Sequence, residues 1–555
     1  MNYHPPISRL LLAMRGAGKF GASNESSLSV DDAQAIISEA GRFAADRIAP
    51  LNRVGDQNPA KLVNGEVETP PGWRDVYQDW CAAGWNSLSG PVAFGGQDLP
   101  MVLAAACTEL WNSASMGFAL CPLLTTGAIE AIAAHASEEL KQRYLPKMVS
   151  GEWSGTMNLT EPQAGSDLSQ LRCKALRNPD GSYAITGSKI FITYGEHDFT
   201  SNIIHLVLAR LEDAPPGTKG ISLFLVPKFL PDGMRNDVHC HSLEHKLGIH
   251  GSPTCTMVYG DNGGAKGWLI GAENRGLACM FTMMNNARLL VGVQGVALAE
   301  RATQAAIEFA KQRKQGRGLQ SANEPSAIIH HPDVKRMLLD MRSKTSAARM
   351  LCMATASAID CGETALASLL TPLAKSFATD IANEVASTAI QVHGGMGYVE
   401  ETGVAQFFRD ARILPIYEGT NGIQAIDLVT RKLDLDDGRC LAEVLRDCES
   451  SLTHAVGAEA GARYVDTVRS LSEKLASSPN SQQSLAAATP FARALASLVA
   501  ASSLVNASKV AKAHSMQAEL ETDVSYFIAS EIPSALAIAK AAIAGADIVK
   551  NAAVT

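Results

Sequence analysis

The spacing of apolar residues changes twice along the chain, and these changes constrain the fold more than any other feature. Helical spacing runs from about residue 30 to 148, where residues such as Ala33 and Ile37 share one face. Short β-rich runs separated by Pro, Gly and Asp replace it from about 158 to 261. Long helical periodicity returns from about 276 to 432. The pattern predicts a mainly α protein with a central β domain.

These changes predict four domains. We expect an N-terminal helical domain with an extension over 1–155, a middle β domain over 156–275 and a four-helix bundle over 276–432. The segment DLDDGRC, which follows Leu433, has the composition of a linker, and the alanine-rich remainder predicts an additional helical domain over 433–555. A chain of 555 residues is long enough to bury more than one core.

Charge and cysteine content bear on partners and compartment. The formal net charge of −8 comes without any basic run, which argues against a nucleic-acid partner. The eleven cysteines are scattered and form no Cys-x-x-Cys pair, as expected of reduced thiols. The N-terminal stretch also lacks the pattern of a secretory signal. We therefore expect a cytoplasmic location.

The longest alanine-rich apolar segments lie near 485–506 and 532–549. They contain Arg493, Lys540 and Asp547 and fall short of an uninterrupted apolar span of about 20 residues. We interpret both as buried helices, and membrane association is not expected.

Four short patches carry groups that suit a flat, phosphate-bearing ligand. They are MNLTEPQAGSD, GSKIFIT, QVHGGMG and IYEGTNGIQ. The hydroxyls of Thr160, Ser166 and Thr193 suit the polar edge of a heterocycle, and Phe191 could cover its face. Glycines such as Gly394 let backbone amides approach phosphate oxygens. Each patch alone also has an ordinary structural explanation, but together they favour a nucleotide-like cofactor.

The acid in IYEGTNGIQ, Glu418, stands alone among small residues directly before a predicted helix. It is either a helix-start carboxylate favoured by the helix dipole or a catalytic base facing a bound ligand. Composition and spacing leave both interpretations open.

The motifs TEPQAGSD, GSKIFIT, KLGIHGSPT, QVHGGMGYVEE, FFRDARI and IYEGTN resemble the acyl-CoA dehydrogenase family over about residues 30–432. The resemblance implies a helical domain, a β-barrel-like domain and a four-helix bundle, in that order. It also implies an FAD-dependent oxidoreductase that converts an acyl-CoA thioester to its trans-2-enoyl form. Glu418 stands at the position of the family's base, which takes the α-proton while the β-hydrogen passes as hydride to flavin N5.

Other positions carry over from the resemblance one by one. The cofactor-binding positions are Leu159, Thr160, Ser166, Phe191, Thr193, Arg313, Gln391, Gly394, Gly395 and Thr420. The substrate-binding positions are Ser166, Asn285, Arg288 and Gly419. Arg313 matches an arginine that reaches a cofactor phosphate of the neighbouring subunit, which implies a homodimer or a dimer of dimers.

The chain departs from the family pattern in places. Phe191 stands where many relatives have Trp, and Gly422 where many have Gln. Two residues after Arg313, the chain has Gln-Gly-Arg where many relatives have Thr-Phe-Gly. These differences bear on the detailed FAD contacts.

The N-terminal stretch YHPPISRLLLAM, the variants NNARLLVG and YEGTNGIQA and the extra helical domain resemble a longer bacterial group within the family, which includes 3-methylthiopropionyl-CoA dehydrogenase. This implies a short, medium or thioether acyl-CoA substrate, fatty acid β-oxidation chemistry and electron-transferring flavoprotein as acceptor. The alternatives are a long-chain acyl-CoA dehydrogenase, an acyl-CoA oxidase or flavin monooxygenase on the same fold, and a noncatalytic scaffold.

The stretch HCHSLEHKLGIH offers a competing interpretation as a metal site. Its candidate ligands are His239, Cys240, His241, His245 and His250. Their spacing fits no standard structural zinc pattern, and no metal site is expected.

Overall fold

The computed structural model describes residues 2–17, 28–318, 321–511 and 515–553. The chain forms two compact units. The helical unit consists of Met1–Ala45, Met101–Ser113 and Arg288–Thr555, and the mixed unit consists of Asp46–Pro100 and Ala114–Ala287.

The helices occupy most of both ends of the chain. They are α1 (Ile7–Gly16), α2 (Val30–Phe43), α3 (Ala49–Gln57), α4 (Trp73–Ala82), α5 (Met101–His135), α6 (Glu138–Val149), α7 (Gly276–Gln312), α8 (Pro332–Asp360), α9 (Thr364–His393), α10 (Val404–Ala411), α11 (Asn421–Asp427), α12 (Arg439–Val456), α13 (Ala458–Ala476), α14 (Gln482–Val510) and α15 (Gln517–Asn551).

The strands concentrate in the mixed unit. They are β1 (Lys61–Val63), β2 (Glu66–Glu68), β3 (Trp153–Asn158), β4 (Lys174–Arg177), β5 (Tyr183–Thr193), β6 (Asn202–Leu211), β7 (Ile221–Pro227), β8 (Val238–Leu243), β9 (Thr254–Tyr259), β10 (Ala265–Ile270), β11 (Lys314–Gly318) and β12 (Ser321–Ala327). The small hairpin of β1 and β2 is not indicated by the helical spacing of its surroundings.

The central sheet of the mixed unit has the strand order β10-β7-β6-β4-β5-β9-β8, with β3 parallel to β6. An additional pairing of β10 with β5 joins distant strands and gives the sheet a barrel-like form. Every residue of β7 is buried, as are all but one of β6, which explains why both segments are continuous apolar runs. The predicted central β domain is confirmed.

In the helical unit, α8 and α9 pack against each other, and α14 packs against both of them. The helix α15 packs against α14 and α8, and α11 contacts α9 and α14. The alanine-rich C-terminal helices therefore share one compact unit with the bundle helices. Small side chains let these helices approach closely, and the middle of α9 is buried almost throughout.

Three described helices, α5, α14 and α15, are long and apolar enough to cross a membrane. The most apolar windows of α5 and α14 are 83% and 72% buried inside the protein, whereas that of α15 is only 28% buried. The expectation of a buried helix over 532–549 is therefore wrong, since Ile538 and Ile548 are exposed. Alanine-rich helices have weak amphipathic contrast, so their sequence does not mark which face is covered.

Candidate active site

Residues 412–420 form the loop between α10 and α11, which we call the Glu418 loop. It holds Glu418 in an uncommon backbone conformation. Glu418 has φ +55° and Gly419 has φ +83°, so two successive residues lie in the left-handed region. A non-glycine residue adopts this conformation at an energetic cost that the surroundings must offset, often at functional sites. The amide of Asn421 donates to the carbonyl of Pro415 (3.0 Å), which closes the loop.

The residue that caps the start of α11 is Thr420 and not Glu418. Thr420 is the N-cap of α11, because its hydroxyl oxygen accepts a hydrogen bond from the amide of Ile423 (3.2 Å). The first turn of α11 contains no acidic residue. Glu418 therefore has no capping role, and the predicted cofactor contact of Thr420 would have to share a hydroxyl that already caps the helix.

Burial and two neighbouring cations have opposite effects on the pKa of the half-buried Glu418 carboxyl. Burial raises its pKa above the usual value, and the charges of Arg288 and Lys375 oppose that effect. Arg288 Nε also donates to the carbonyl of Glu418 (3.4 Å). The result is a carboxyl that is more basic than a solvated glutamate and has cations beside it that favour its ionised form.

Side chains from α7 and α11 also fix the loop. Gln424 Nε2 donates to the carbonyls of Glu418 and Gly419, each at 3.4 Å. The hydroxyl of Tyr417 donates to Gln294 Oε1, and Gln294 Nε2 donates in turn to Asn112 Oδ1 (3.0 Å). The position of the acid is thus determined on both sides of Glu418.

Lys375 belongs to this site, although the sequence motifs do not point to it. Lys375 on α9 donates to the carbonyl of Gly419 (2.9 Å) and to Asn421 Oδ1 (2.8 Å). The signal available was that Lys375 is the only charged residue between Thr364 and Asp380, in an otherwise apolar helical run. A single charge in such a run needs a buried partner, but the pattern does not say which.

In the mixed unit, a β-bulge turns Phe191 outward. The pairing of β5 with β9 shifts register between Lys189 and Ile192, and Phe191 has φ +60° with 58% of its surface exposed. An aromatic face is thereby presented outside the sheet, where a planar ring can stack on it. Thr193, at the end of the same strand, is half-buried.

The loop of residues 159–162 lies beside this bulge and is hydrogen-bonded to residues of β5. The amide of Ile190 donates to the carbonyl of Thr160 (2.9 Å). Buried Lys189 donates to the Leu159 carbonyl (3.0 Å) and pairs with Glu161 (2.8 Å). The structure thus brings Leu159, Thr160 and Phe191 together.

The third predicted residue with a hydroxyl in this region, Ser166, is exposed further along the loop. Ser166 and the half-buried Thr160 are thus both accessible polar groups of this loop. This part of the mixed unit fits the polar edge and face of a flavin ring.

The predicted phosphate region lies where α7 and α9 end. The rings of Phe309 and His393 stack at 4.4 Å between centroids and tie the two ends together. Gln391, Gly394 and Gly395 are exposed, and a side chain at either glycine would meet nothing within 4 Å. Open backbone of this kind, with the exposed Arg313 at the end of α7, fits a diphosphate.

The predicted substrate residues on α7 differ in exposure. Asn285 is exposed, and Arg288 is half-buried. Burial lowers the pKa of the Arg288 guanidinium, while the charges of Asp427 and Glu418 raise it. Arg288 therefore already has a structural partner in the Glu418 loop, whereas Asn285 is open to a ligand.

The histidine-rich stretch is engaged in ordinary contacts. His250 lies 3.0 Å from the carboxylate of Asp56, and its Nε2 lies 3.0 Å from the carbonyl of Lys246. His239 lies 3.7 Å from Asp261. Among the residues that the structure describes, no group of three or more His, Cys, Asp and Glu side chains is arranged to hold a metal ion.

Three family models match the chain. They are the acyl-CoA dehydrogenase N-terminal domain over 30–152, the middle domain over 156–262 and the C-terminal domain over 274–433. A structure of Caenorhabditis elegans ACDH-11 in complex with C11-CoA aligns with a TM-score of 0.82 at 20% identity and covers all of this chain and 96% of that one. This likeness confirms the fold over the full length.

Curated relatives agree with the family models. The chain is 50% identical to the 3-methylmercaptopropionyl-CoA dehydrogenase of Ruegeria pomeroyi over 476 residues, which are 82% of this chain and 80% of that protein. It is 38% identical to a butyryl-CoA dehydrogenase of Syntrophomonas wolfei, over 74% of this chain and 71% of that protein. These findings confirm the expected enzyme class, an FAD-dependent oxidoreductase acting on acyl-CoA. The chain belongs to the acyl-CoA dehydrogenase family.

Proposed function

We propose that the chain dehydrogenates a short thioether acyl-CoA of the 3-methylthiopropionyl type at its α and β carbons, with Glu418 as the base. The observation that carries this proposal is the environment of Glu418, a partly buried acid next to Arg288 and Lys375 in a fixed left-handed loop. The 50% identity to the Ruegeria pomeroyi enzyme supports the thioether substrate. Its name uses methylmercapto for the same methylthio group.

The chemistry assigned to Glu418 follows from its surroundings. A glutamate in water has a pKa of about 4.3 and is a poor base for a carbon acid. Burial makes this carboxylate more basic, while the two neighbouring cations keep it ionised so that it can accept the α-proton. Glycine is needed beside the acid, because Gly419 has φ +83° and a Cβ there would lie 2.6 Å from Gln424 Nε2. FAD, when bound, accepts the β-hydrogen as hydride.

For the cofactor, we assign the ring end to Leu159, Thr160, Ser166, Phe191 and Thr193. Phe191 provides the face, and the hydroxyls provide the polar edge. Arg313, Gln391, Gly394 and Gly395 are assigned to the diphosphate, with Thr420 as a further contact. The exposure of Arg313 and of both glycines supports a homodimer or dimer of dimers in which they serve a neighbouring subunit.

We place the reaction in cytoplasmic acyl-CoA β-oxidation, with electron-transferring flavoprotein as the acceptor. The described cysteines are all free thiols, which supports a reducing compartment.

The substrate and the acceptor are tested together by steady-state kinetics. We expect kcat/KM to be highest for 3-methylthiopropionyl-CoA and butanoyl-CoA and at least about tenfold lower for palmitoyl-CoA, since the acyl site of a short-chain enzyme would exclude the added methylenes. Turnover should require electron-transferring flavoprotein and should yield little peroxide. Highest activity with palmitoyl-CoA would contradict the short-chain assignment. Stoichiometric peroxide without the flavoprotein would indicate an oxidase.

The pKa of Glu418 also predicts a pH dependence. The base works only when ionised, so the rate of flavin reduction should fall as the pH drops through its pKa. Burial places that pKa above the ordinary glutamate value, and the acid limb should therefore lie above about pH 4.3. Anaerobic stopped-flow absorbance from about pH 5 to pH 9 at saturating substrate measures it. A rate that rises as the pH falls would contradict this assignment.

A further inference from the structure

A buried lysine is hydrogen-bonded to the residue that follows the proposed base. Lys375 on α9 has none of its surface exposed, and its helix neighbours Ala374, Phe377 and Ala378 are buried apolar residues. A buried ammonium group is costly unless it is well paired. Yet its two hydrogen-bond acceptors are neutral: the carbonyl of Gly419 (2.9 Å) and Asn421 Oδ1 (2.8 Å).

Asn421 is fixed in turn by the same helix. Its Nδ2, which has two hydrogens to donate, lies within hydrogen-bond distance of three acceptors: Asp380 Oδ1 (2.7 Å), Thr379 Oγ1 (2.9 Å) and the carbonyl of Ser376 (3.2 Å). Together, Lys375 and these three residues attach the loop to α9 on either side of Thr420. The orientation of Asn421 is thus set before any ligand binds.

The loop conformation depends on this attachment. Glu418 and Gly419 both have positive φ, which the chain must hold in place. The bonds from Arg288 and Gln424 to their carbonyls are 3.4 Å long, whereas the bond from Lys375 to Gly419 is 2.9 Å. Among these four described hydrogen bonds, the one from Lys375 is therefore the shortest.

The charge of Lys375 also acts on the acid. Burial lowers the pKa of Lys375 to about 7, while Glu418 and Asp380 raise it and Arg288 lowers it. Asp380 faces Arg493 and Glu384, and Arg288 faces Asp427 and Arg431. Conversely, the lysine and Arg288 both lower the pKa of Glu418. Below about pH 7, where Lys375 carries its proton, the ammonium group thus offsets part of the burial of the carboxylate.

We propose that Lys375 is a positioning residue that fixes the Glu418 loop through Gly419 and Asn421 and keeps the Glu418 carboxylate ionised. It does so without touching the substrate. This inference rests on the proposed role of Glu418 as the base.

Lys375→Met tests the inference, because it keeps the length of the side chain but removes the charge and the donors. In the FAD-loaded enzyme we expect flavin reduction at least about tenfold slower, with KM for 3-methylthiopropionyl-CoA changed less than about threefold. The acid limb of the rate should move to higher pH, because loss of a nearby cation raises a carboxyl pKa. Lys375→Arg, which keeps the charge, should return the limb toward its wild-type position.

The matched control is Lys344→Met on α8. Lys344 is also largely buried and lies 3.0 Å from both Asp340 and Glu384, but it makes none of the described contacts with the Glu418 loop. We expect this variant to lower the melting temperature while the reduction rate per bound FAD and the acid limb stay at wild-type values. FAD content and melting temperature are measured for every variant.

A wild-type acid limb and a wild-type rate per bound FAD in Lys375→Met would overturn the proposal and leave the lysine a structural role. Lys375→Gln keeps a donor for Gly419 without the charge and carries the same test where the methionine variant does not fold. Its acid limb should also shift, and an unshifted limb again overturns the proposal. Failure of the wild-type enzyme to be bleached by any acyl-CoA would instead overturn the proposed function.

Discussion

Glu418→Gln is expected to slow flavin reduction by acyl-CoA about a thousandfold or more while FAD stays bound. Glutamine keeps the shape of the side chain and its fit in the loop, but it cannot accept a proton. The loop should keep its conformation, because Arg288, Lys375 and Gln424 donate to backbone carbonyls and not to the carboxylate. The affinity for acyl-CoA should therefore change little. Anaerobic stopped-flow absorbance at saturating substrate measures the rate.

Glu401→Gln provides the control, because Glu401 is an exposed glutamate outside the Glu418 loop. It should leave the rate unchanged. A Glu418→Gln variant that keeps more than about a tenth of the wild-type rate would show that another group takes the α-proton.

Arg349→Met is expected to cause the largest loss of stability, about 3–5 kcal/mol in the free energy of unfolding. The Arg349 guanidinium is 1% exposed and lies 2.7 Å from both Glu109 and Glu300. Its replacement leaves two buried carboxylates without their cation, and burial already raises the pKa of Glu109. Chemical denaturation of the FAD-loaded enzyme, followed by circular dichroism, measures the loss.

An exposed arginine on the same helix supplies the comparison. Arg336 pairs with Asp333 at the surface, and such pairs contribute about 0–1 kcal/mol. Arg336→Met should therefore have little effect on unfolding. Equal small losses for Arg349→Met and Arg336→Met would mean that the buried cluster does not stabilise the helical unit.

Much of the fold follows from local patterns. The runs YAITGSKIFIT and NIIHLVLARL are the strands β5 and β6, because β-branched and apolar residues bounded by turn residues favour strands. On α2, Ala33, Ile37 and Ala40 are buried as their spacing predicts. The acid of IYEGTNG also lies in a fixed, partly buried loop, as a catalytic base requires.

Other features depend on contacts between distant segments and leave little trace in the local sequence. Lys375 meets Gly419 across 44 positions of sequence, so helical spacing alone identifies a buried lysine and not its acceptor. The outward turn of Phe191 arises from a register shift against β9, which strand propensity does not encode. The sequence of α15 does not indicate which face is exposed, because alanine occurs on all sides of the helix.

Anaerobic bleaching of the flavin by 3-methylthiopropionyl-CoA, with mass spectrometry of the thioester product, tests the central claim most directly. The proposed function predicts that about one equivalent of substrate bleaches the flavin and yields a thioester lighter by two hydrogens, and that Glu418→Gln shows neither change. An enzyme that holds FAD, yet is bleached by none of the butanoyl, octanoyl, palmitoyl and 3-methylthiopropionyl thioesters, would contradict it.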